Sequence, residues 1–272
     1  MDFAQQLVNG VQIGSVYALV AIGYTMVYGI AKMINFAHGD IIMVGSYVAL
    51  LFFQSSGLPV WGVIAATAAV SAVLGVTIER LAYKPLRGGS RMSALITTIG
   101  VSLMLQNGFL LIFGSSPKPF PNHFTGEGFT LGGVTVSRLT AITLVVTVVL
   151  MVLLTLFVNR TRVGKAMRAV SEDQGAAQLM GINIDTSISI TFAIGSALAA
   201  VAAVLYSSTY PLINPYMGSM LGLRAFIAAV IGGIGVIPGA MIGGFIIGIA
   251  EALIKRYISF AMADAILFPL LI

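Results

Sequence analysis

A few ionisable side chains lie within or beside long apolar segments. A charge inside a membrane is costly unless it is paired, so such residues are candidates for function. An ion-coupled carrier would place carboxylates in the middle of its spans, whereas these carboxylates lie near the segment ends. Glu251 and Lys255, four residues apart on one helical face, are predicted to form a structural pair. The full set is Lys32, His38, Asp40, Glu79, Arg224, Glu251 and Asp264.

The residue types that enzymes and metal sites require are scarce. The chain has no cysteine and only two histidines, His38 and His123, which lie in different segments. This composition excludes a disulfide scaffold and a cysteine nucleophile, and we expect no metal site. No phosphate-binding loop of the form G-x-x-x-x-G-K-[ST] occurs, so we expect neither ATP hydrolysis by this chain nor a bound cofactor. Energy for active transport must come from an ion gradient or from another subunit.

The overall composition is that of a membrane protein. Of 272 residues, 58% are hydrophobic and only 8% are charged, whereas soluble chains carry about 25% charged residues. This excludes a soluble enzyme. The net charge of +5 is better explained by basic cytoplasmic loops than by a nucleic-acid partner, because lysine and arginine concentrate in such loops.

The apolar segments predict an all-α polytopic helical bundle. A bilayer core about 30 Å thick needs about 20 apolar residues per helix. We therefore predict about eight transmembrane helices, one or two of them broken or re-entrant, in a single domain over residues 1–272. The apolar cores are 8–30, 41–54, 60–79, 93–113, 139–158, 187–206, 223–236, 240–254 and 257–272.

The distribution of basic residues orients the bundle. Segments 80–91 and 159–185 each carry several lysines and arginines and should face the cytoplasm, which places 114–138 outside. Lys255 and Arg256 also favour the cytoplasm. Two full crossings by 223–236 and 240–254 would place them outside, so one of these segments is predicted to be re-entrant.

Short, interrupted segments in both halves of a transporter mark the substrate path. Here 41–54 and the pair around Pro238 have this character. The alternative is that they are merely short or tilted spans, with His38 and Asp40 as hydrogen-bonded loop anchors. The candidate path residues are Asn35, His38, Gly39, Asp40, Gly232, Gly233 and Gly235.

Glycines recur every fourth residue near the end of the chain, a spacing that lets another helix approach closely. Gly10 and Gly14 offer a second such face. We predict packing within the chain rather than a dimer interface. The packing candidates are Gly239, Gly243, Gly244 and Gly248.

The cytoplasmic segment 159–185 is predicted to contain a short helix too polar to span the membrane. Ser171 is its expected N-cap and Gly181 its stop. Ala176, Leu179 and Met180 form one apolar stripe, which can lie on the membrane surface or dock into a groove of a cytoplasmic partner.

Three motifs resemble the membrane permeases of branched-chain amino acid ABC importers, the LivH type. They are Asn35–Asp40 after Gly23–Gly29, the segment Arg168–Gly181, which is similar to the EAA coupling segment, and Gly222–Phe226 running into Gly232–Gly244. The resemblance covers almost the whole chain. The EAA pattern is loose here, and because the chain ends inside an apolar run we expect Ile272 to be a truncated end.

The resemblance implies a location and a set of partners. The chain would sit in the bacterial cytoplasmic membrane with a second homologous permease and two cytoplasmic ATP-binding subunits. An extracytoplasmic binding protein would deliver leucine, isoleucine or valine, and alternating access would move the cargo inward. Urea or short-chain amides remain alternative cargoes, and an ion-coupled secondary carrier is an alternative mechanism. The coupling residues would be Glu172, Asp173, Ala176, Ala177, Leu179, Met180 and Gly181.

Overall fold

The computed structural model describes residues 2–87, 89–121, 123–124, 128–131, 134–260 and 262–271. Within these ranges the chain is helical almost throughout, with two short antiparallel strand pairs, β1 with β4 and β2 with β3. The strands are β1 Lys118–Pro119, β2 Phe129–Leu131, β3 Val134–Val136 and β4 Leu212–Ile213. The helices are α1 Asp2–Ala31, α2 His38–Ser55, α3 Val60–Ile78, α4 Arg91–Phe113, α5 Arg138–Arg160, α6 Arg162–Glu172, α7 Gln174–Leu179, α8 Ile184–Thr209, α9 Met217–Ile231, α10 Ile237–Tyr257 and α11 Ala263–Leu267.

The predicted helical membrane fold is confirmed. Among the described residues, 6 helices are long and apolar enough to cross a bilayer. They are α1, α4, α5, α8, α10 and α3, the last with its continuation to Leu86. Two shorter apolar helices, α2 of 18 residues and α9 of 15 residues, pack among them.

The final predicted span, 257–272, is wrong. α10 continues to Tyr257, and the described residues after it form the five-residue helix α11 and a 3₁₀ turn over Phe268–Leu271 but no further long helix. The chain leaves the helical path at residues 258–260, before α11 begins. Beyond that point Asp264 is held by an ion pair to Arg224 on α9, and Pro269, which lacks the backbone N–H that a continuous α-helix requires, lies in the 3₁₀ turn that follows α11.

The helices at the centre of the bundle are α1, α2 and α8. Of their most apolar windows, 83% of α1 and 78% of α8 are buried, against 17% for α4 and 22% for α5. α4 and α5 therefore lie at the periphery, where exposed side chains such as Leu111 face outward. Apolar side chains on an outer face are expected in lipid, which is itself apolar.

The bundle has two chemically different ends. The basic end holds the turns that follow α3, together with α6 and α7. The strand end holds the β-strands and the N-terminal part of α1, where Gln5 Nε2 donates to the carbonyl of Thr135. The positive-inside rule assigns the basic end to the cytoplasm.

Lys255 and Arg256 lie at the strand end, so the expectation that they favour the cytoplasm is wrong. Both line a cavity with Gln6 and Thr209. Lys255 forms an ion pair with Glu251 and lies over the ring of Phe260, so local partners balance its charge. Of the two short predicted segments, 240–254 belongs to the full-length α10, and only 223–236 corresponds to a short helix, α9.

Candidate functional site: the helix break, the glycine turn and the coupling segment

The chain between α1 and α2 is unwound, and within it Asn35 and Ala37 are buried whereas Lys32 and Phe36 are exposed. Lys32 adopts a positive φ of 54° directly after α1. Asn35 is 2% exposed, and its side-chain oxygen accepts a hydrogen bond of 2.7 Å from the Tyr83 hydroxyl. The Asn35 Nδ2 group has no partner among the described residues. Irregular backbone at membrane depth is tolerated only inside protein or beside a water-filled cavity, so this break is a structural candidate for the path.

His38 and Asp40 belong to the first turn of α2, so their interpretation as loop residues is wrong. The helix starts before residue 41 because the Ile41 N–H already donates to the Ala37 carbonyl. The His38 ring packs edge-on against Tyr24 at 4.6 Å and closely against Gly23. Its Nε2 atom is buried and has no partner among the described residues.

Asp40 joins α2 to two other helices. Gln106 Nε2 on α4 lies 2.9 Å from Asp40 Oδ1 and 2.9 Å from Ser219 Oγ on α9. Beside this contact, a Cβ on Gly39 would overlap the carbonyl oxygen of Gly218, so α2 and α9 touch through their backbones. The start of α2, the middle of α4 and the start of α9 therefore meet at one polar contact, which is buried at Asp40 and Gln106 and exposed at Ser219.

The glycine block forms the turn between α9 and α10. Gly232 ends α9, and Gly233 and Gly235 adopt positive φ angles of 88° and 98°, a region that glycine occupies without strain. Gly232 also contacts Gly239 so closely that a Cβ on either would overlap the carbonyl oxygen of the other. The turn is tight because no side chain intervenes.

One cavity at the basic end brings the predicted elements together. It has a volume of about 400 Å³ and is lined by Gly29 near the end of α1, Lys32 from the break, Gly235 from the glycine turn, and Arg168 and Glu172 from α6. A movement of α6 would therefore reach both the break and the turn directly.

The coupling segment is two helices rather than one. Ser171 is not the N-cap, because α6 continues to Glu172 and the Ser171 hydroxyl donates to the Arg168 carbonyl. Asp173 takes the capping role instead, and its carboxylate accepts a hydrogen bond of 3.0 Å from the Ala176 N–H. Gly181, with φ of 79°, follows α7.

The apolar residues of α7 divide between the interior and solvent. Ala177 is 3% exposed, whereas Leu179 and Met180 are 90% and 83% exposed, and Ala176 also faces outward. Gln174 Nε2 lies 3.5 Å from the carbonyl oxygen of Ile30, near the end of α1. Leu179 and Met180 therefore form a small exposed apolar surface at the basic end of the bundle.

The packing glycines form contacts within the chain. A Cβ on Gly248 would overlap the backbone of Gly14, and one on Gly244 would lie 2.5 Å from the Cα atom of Ala18. Gly243 contacts the Ala228 carbonyl of α9 in the same way. α10 therefore packs with its backbone against α1 on one face and α9 on another.

A family model described as "Branched-chain amino acid transport system / permease component" matches residues 6–272. The chain belongs to this family. This permease is 47% identical to the high-affinity branched-chain amino acid transport system permease protein LivH of Escherichia coli strain K12, over 99% of this chain and 92% of that protein. BraD of Pseudomonas aeruginosa, named as a permease of the same kind, matches with the same identity and coverage. The ribose import permease RbsC of Escherichia coli strain K12 is 26% identical over 89% of this chain and 75% of that protein.

Sequence reasoning missed a buried charge cluster in this permease. Glu251, 1% exposed, lies 2.9 Å from Arg224 and 2.5 Å from Lys255, and it accepts a hydrogen bond of 2.6 Å from the Tyr17 hydroxyl. Arg224 also pairs with Asp264 at 2.6 Å. Only the Glu251–Lys255 part could be expected from spacing, because the other partners are far apart in sequence. The two cations and two carboxylates balance, so we infer a structural role that holds α1, α9 and α10 together.

Glu251→Gln is expected to lower the free energy of unfolding by about 3 kcal/mol, because it removes the carboxylate from a buried ion pair. We expect the low end of the usual range because Arg224 still has a carboxylate partner, Asp264, after the substitution. Thermal unfolding of the detergent-solubilised permease measures the loss. Asp264→Asn, at a more exposed position, is the matched control and should cost about 1 kcal/mol or less. Equal midpoints for parent and Glu251→Gln would contradict the structural role.

Proposed function

We propose that this chain is the membrane-spanning subunit of an ABC importer for leucine, isoleucine and valine. The observation that carries the proposal is the 47% identity to LivH of Escherichia coli over 99% of the chain. The likeness to the ribose permease is much lower, which favours the amino acid cargo. The identity to LivH and BraD, both named as branched-chain amino acid permeases, also favours this cargo over urea or short-chain amides.

We propose that two ATP-binding subunits supply the energy and that one of them docks on α7. The support is the exposure of Leu179 and Met180 beside a basic surface at the cytoplasmic end. A buried apolar anchor surrounded by polar residues is the usual composition of an interface centre. A second homologous permease would complete the membrane pore, and a binding protein would deliver the cargo at the strand end.

The proposed mechanism is alternating access through the break between α1 and α2. Closure of the ATP-binding subunits would move α6 and α7, which contact the end of α1 and share a cavity with the glycine turn. The hydrogen bonds of Gln106 to Asp40 and Ser219 hold α2 to α4 and α9. A shift of α2 relative to α9 would break or rearrange them, so they contribute to the energy difference between the two access states.

The ion-coupled secondary carrier is the weaker mechanism. Its coupling would require a carboxylate that exchanges protons or sodium in the middle of the spans. Glu251 is instead held by two cations and a hydroxyl, and Glu79 by Arg87 and Ser189. Asp40 is the remaining buried carboxylate among the described residues, and Gln106 satisfies it.

Gln106→Ala is expected to lower leucine uptake roughly tenfold. The substitution removes the hydrogen bond from Gln106 to the Asp40 carboxylate, and a hydrogen bond to a charged group is worth about 1.5–3 kcal/mol. Because the bond is proposed to differ between the two access states, its loss should change the balance between them. Asn107→Ala is the matched control, because Asn107 is the neighbouring amide on α4 but is exposed, and within the described part of the chain its side chain donates to the Leu103 carbonyl of its own helix. Uptake at the parental rate with equal protein in the membrane would show that this contact does not control access.

The cargo is tested by competition in cells that lack their own branched-chain amino acid importers. Radiolabelled leucine is supplied to cells that express the chain with its partner subunits. Unlabelled isoleucine and valine should compete, whereas urea, acetamide and ribose should not. Absence of leucine uptake together with accumulation of labelled urea or amide would overturn the cargo assignment while leaving the permease family intact.

A further inference from the structure

A cavity of about 630 Å³ lies between α3 and α8 at the basic end, away from the helix break. Its lining changes along the length of the helices. Its cytoplasmic part is lined by polar side chains that include Arg80, Lys84, Asp185 and Ser189. Val76 and Ala193, one turn further into the bilayer, line it with apolar groups. The volume lies within the usual range for small-molecule sites, about 300–1,000 Å³.

A π-helical turn determines which side chains face this cavity. The turn spans Glu79–Tyr83 and follows α3 directly. Glu79 and Tyr83 are fully buried, bonded to Ser189 at 2.6 Å and to Asn35 at 2.7 Å, respectively. Arg80 lies on the exposed side of the same turn. Such turns are rare and often occur at functional sites, and this one separates an inward carboxylate from an outward guanidinium.

The cavity carries one cation whose charge is not balanced. Lys84 pairs with Asp185 at 2.7 Å, and Arg87 pairs with both Glu79 and Asp185. These two cations and two carboxylates cancel. No carboxylate in the part of the chain that the structure describes lies within ion-pair distance of Arg80, so the net charge of the group is positive.

The outer wall continues into the membrane as an apolar surface. On α3, Val73 is 67% exposed and Val70 is 41% exposed, three residues apart on one helical face. The cavity therefore has a cationic end at the cytoplasmic interface and an apolar extension into the hydrocarbon region. A phospholipid has the same order of polarity along the bilayer normal.

We propose that this cavity binds one anionic phospholipid of the cytoplasmic leaflet. Its headgroup phosphate would lie at Arg80, and an acyl chain would lie along Val73 and Val70. Basic pockets between transmembrane helices on the cytoplasmic side suit such headgroups. The site is separate from the substrate path, and the proposal does not depend on the cargo.

The test is native mass spectrometry of the purified permease, with its co-purifying subunits, titrated with phosphatidylglycerol or phosphatidylcholine. Arg80→Gln should weaken the tightest phosphatidylglycerol site about fivefold, the effect of removing one interfacial cation. Arg80→Lys should restore binding. The matched control is Arg162→Gln, an exposed cation of α6 that does not line the cavity, and it should leave this site unchanged.

Several results would overturn the proposal. Unchanged phosphatidylglycerol binding in Arg80→Gln would show that the lipid does not bind at this cavity. Equal losses of binding in Arg80→Gln and Arg162→Gln would show only a general attraction of anionic lipid to the basic surface. Equal affinity for phosphatidylcholine would show that Arg80 does not select an anion. Full displacement of the lipid by millimolar inorganic phosphate would indicate a site for a soluble anion.

Discussion

Replacing Leu179 and Met180 together by aspartate is expected to reduce ATP-driven leucine uptake to about one-hundredth or less of the parental rate. Both side chains are almost fully exposed, so the substitutions should not unfold the permease. At a docked interface each would replace an apolar anchor by a charge, and loss of a central anchor typically costs about 2 kcal/mol or more. Uptake and the amount of protein in the membrane are measured together.

The control for this experiment is the exchanged pair, Leu179→Met with Met180→Leu. It keeps the apolar surface and nearly the same volume, so uptake should stay close to parental. Parental uptake by the aspartate variant would show that α7 does not dock an ATP-binding subunit. Loss of uptake in both variants would point to a requirement for particular side-chain shapes rather than for apolar character.

The double substitution Gly239→Ala with Gly243→Ala is expected to destabilise the permease by about 2–6 kcal/mol, twice the usual cost of overpacking one site. Each new Cβ would overlap a backbone carbonyl of α9, at Gly232 and Ala228 respectively. Backbone cannot rotate away as a side chain can, so α9 and α10 would have to separate. The thermal unfolding midpoint and the yield of membrane-inserted protein should both fall.

The control pair is Gly100→Ala with Gly108→Ala in α4. A Cβ at either position meets no atom within 4 Å among the described residues. Alanine is the better helix former by about 1 kcal/mol per position, so this pair should be neutral or slightly stabilising. Glycine-to-alanine substitution is thus expected to lower the unfolding midpoint when made in α10 and to leave it unchanged or raise it when made in α4. A midpoint that is equal for both pairs would contradict the close packing of α9 and α10.

Local signals predicted the parts of the fold that depend on composition. The long apolar spans, the basic cytoplasmic loops and the stop at Gly181 each follow from residues that are adjacent in sequence. The N-cap at Asp173 was missed because Ser171 is an equally good capping residue two positions earlier. The choice between them depends on how far α6 extends, and that length is set by packing against the bundle.

The long-range contacts could not be predicted from one sequence. Gln106 was not a candidate because a glutamine in an apolar helix carries no charge, yet it connects Asp40 to Ser219. Tyr17 and Arg224 lie far apart in sequence and meet at Glu251 only because α1 and α9 both pack against α10. A buried glutamine amide and a buried carboxylate can meet each other's need for a hydrogen-bond partner. That need identifies Gln106 and Asp40 as a pair only when the positions of α2 and α4 are known.

The most direct test of the account is leucine uptake into proteoliposomes that contain the purified chain with and without its partner subunits. The account predicts uptake only when the second permease, the ATP-binding subunits, the binding protein and ATP are all present. This uptake should persist when ionophores remove the ion gradients. Uptake by the chain alone that collapses with an ion gradient would contradict the account and establish a secondary carrier instead.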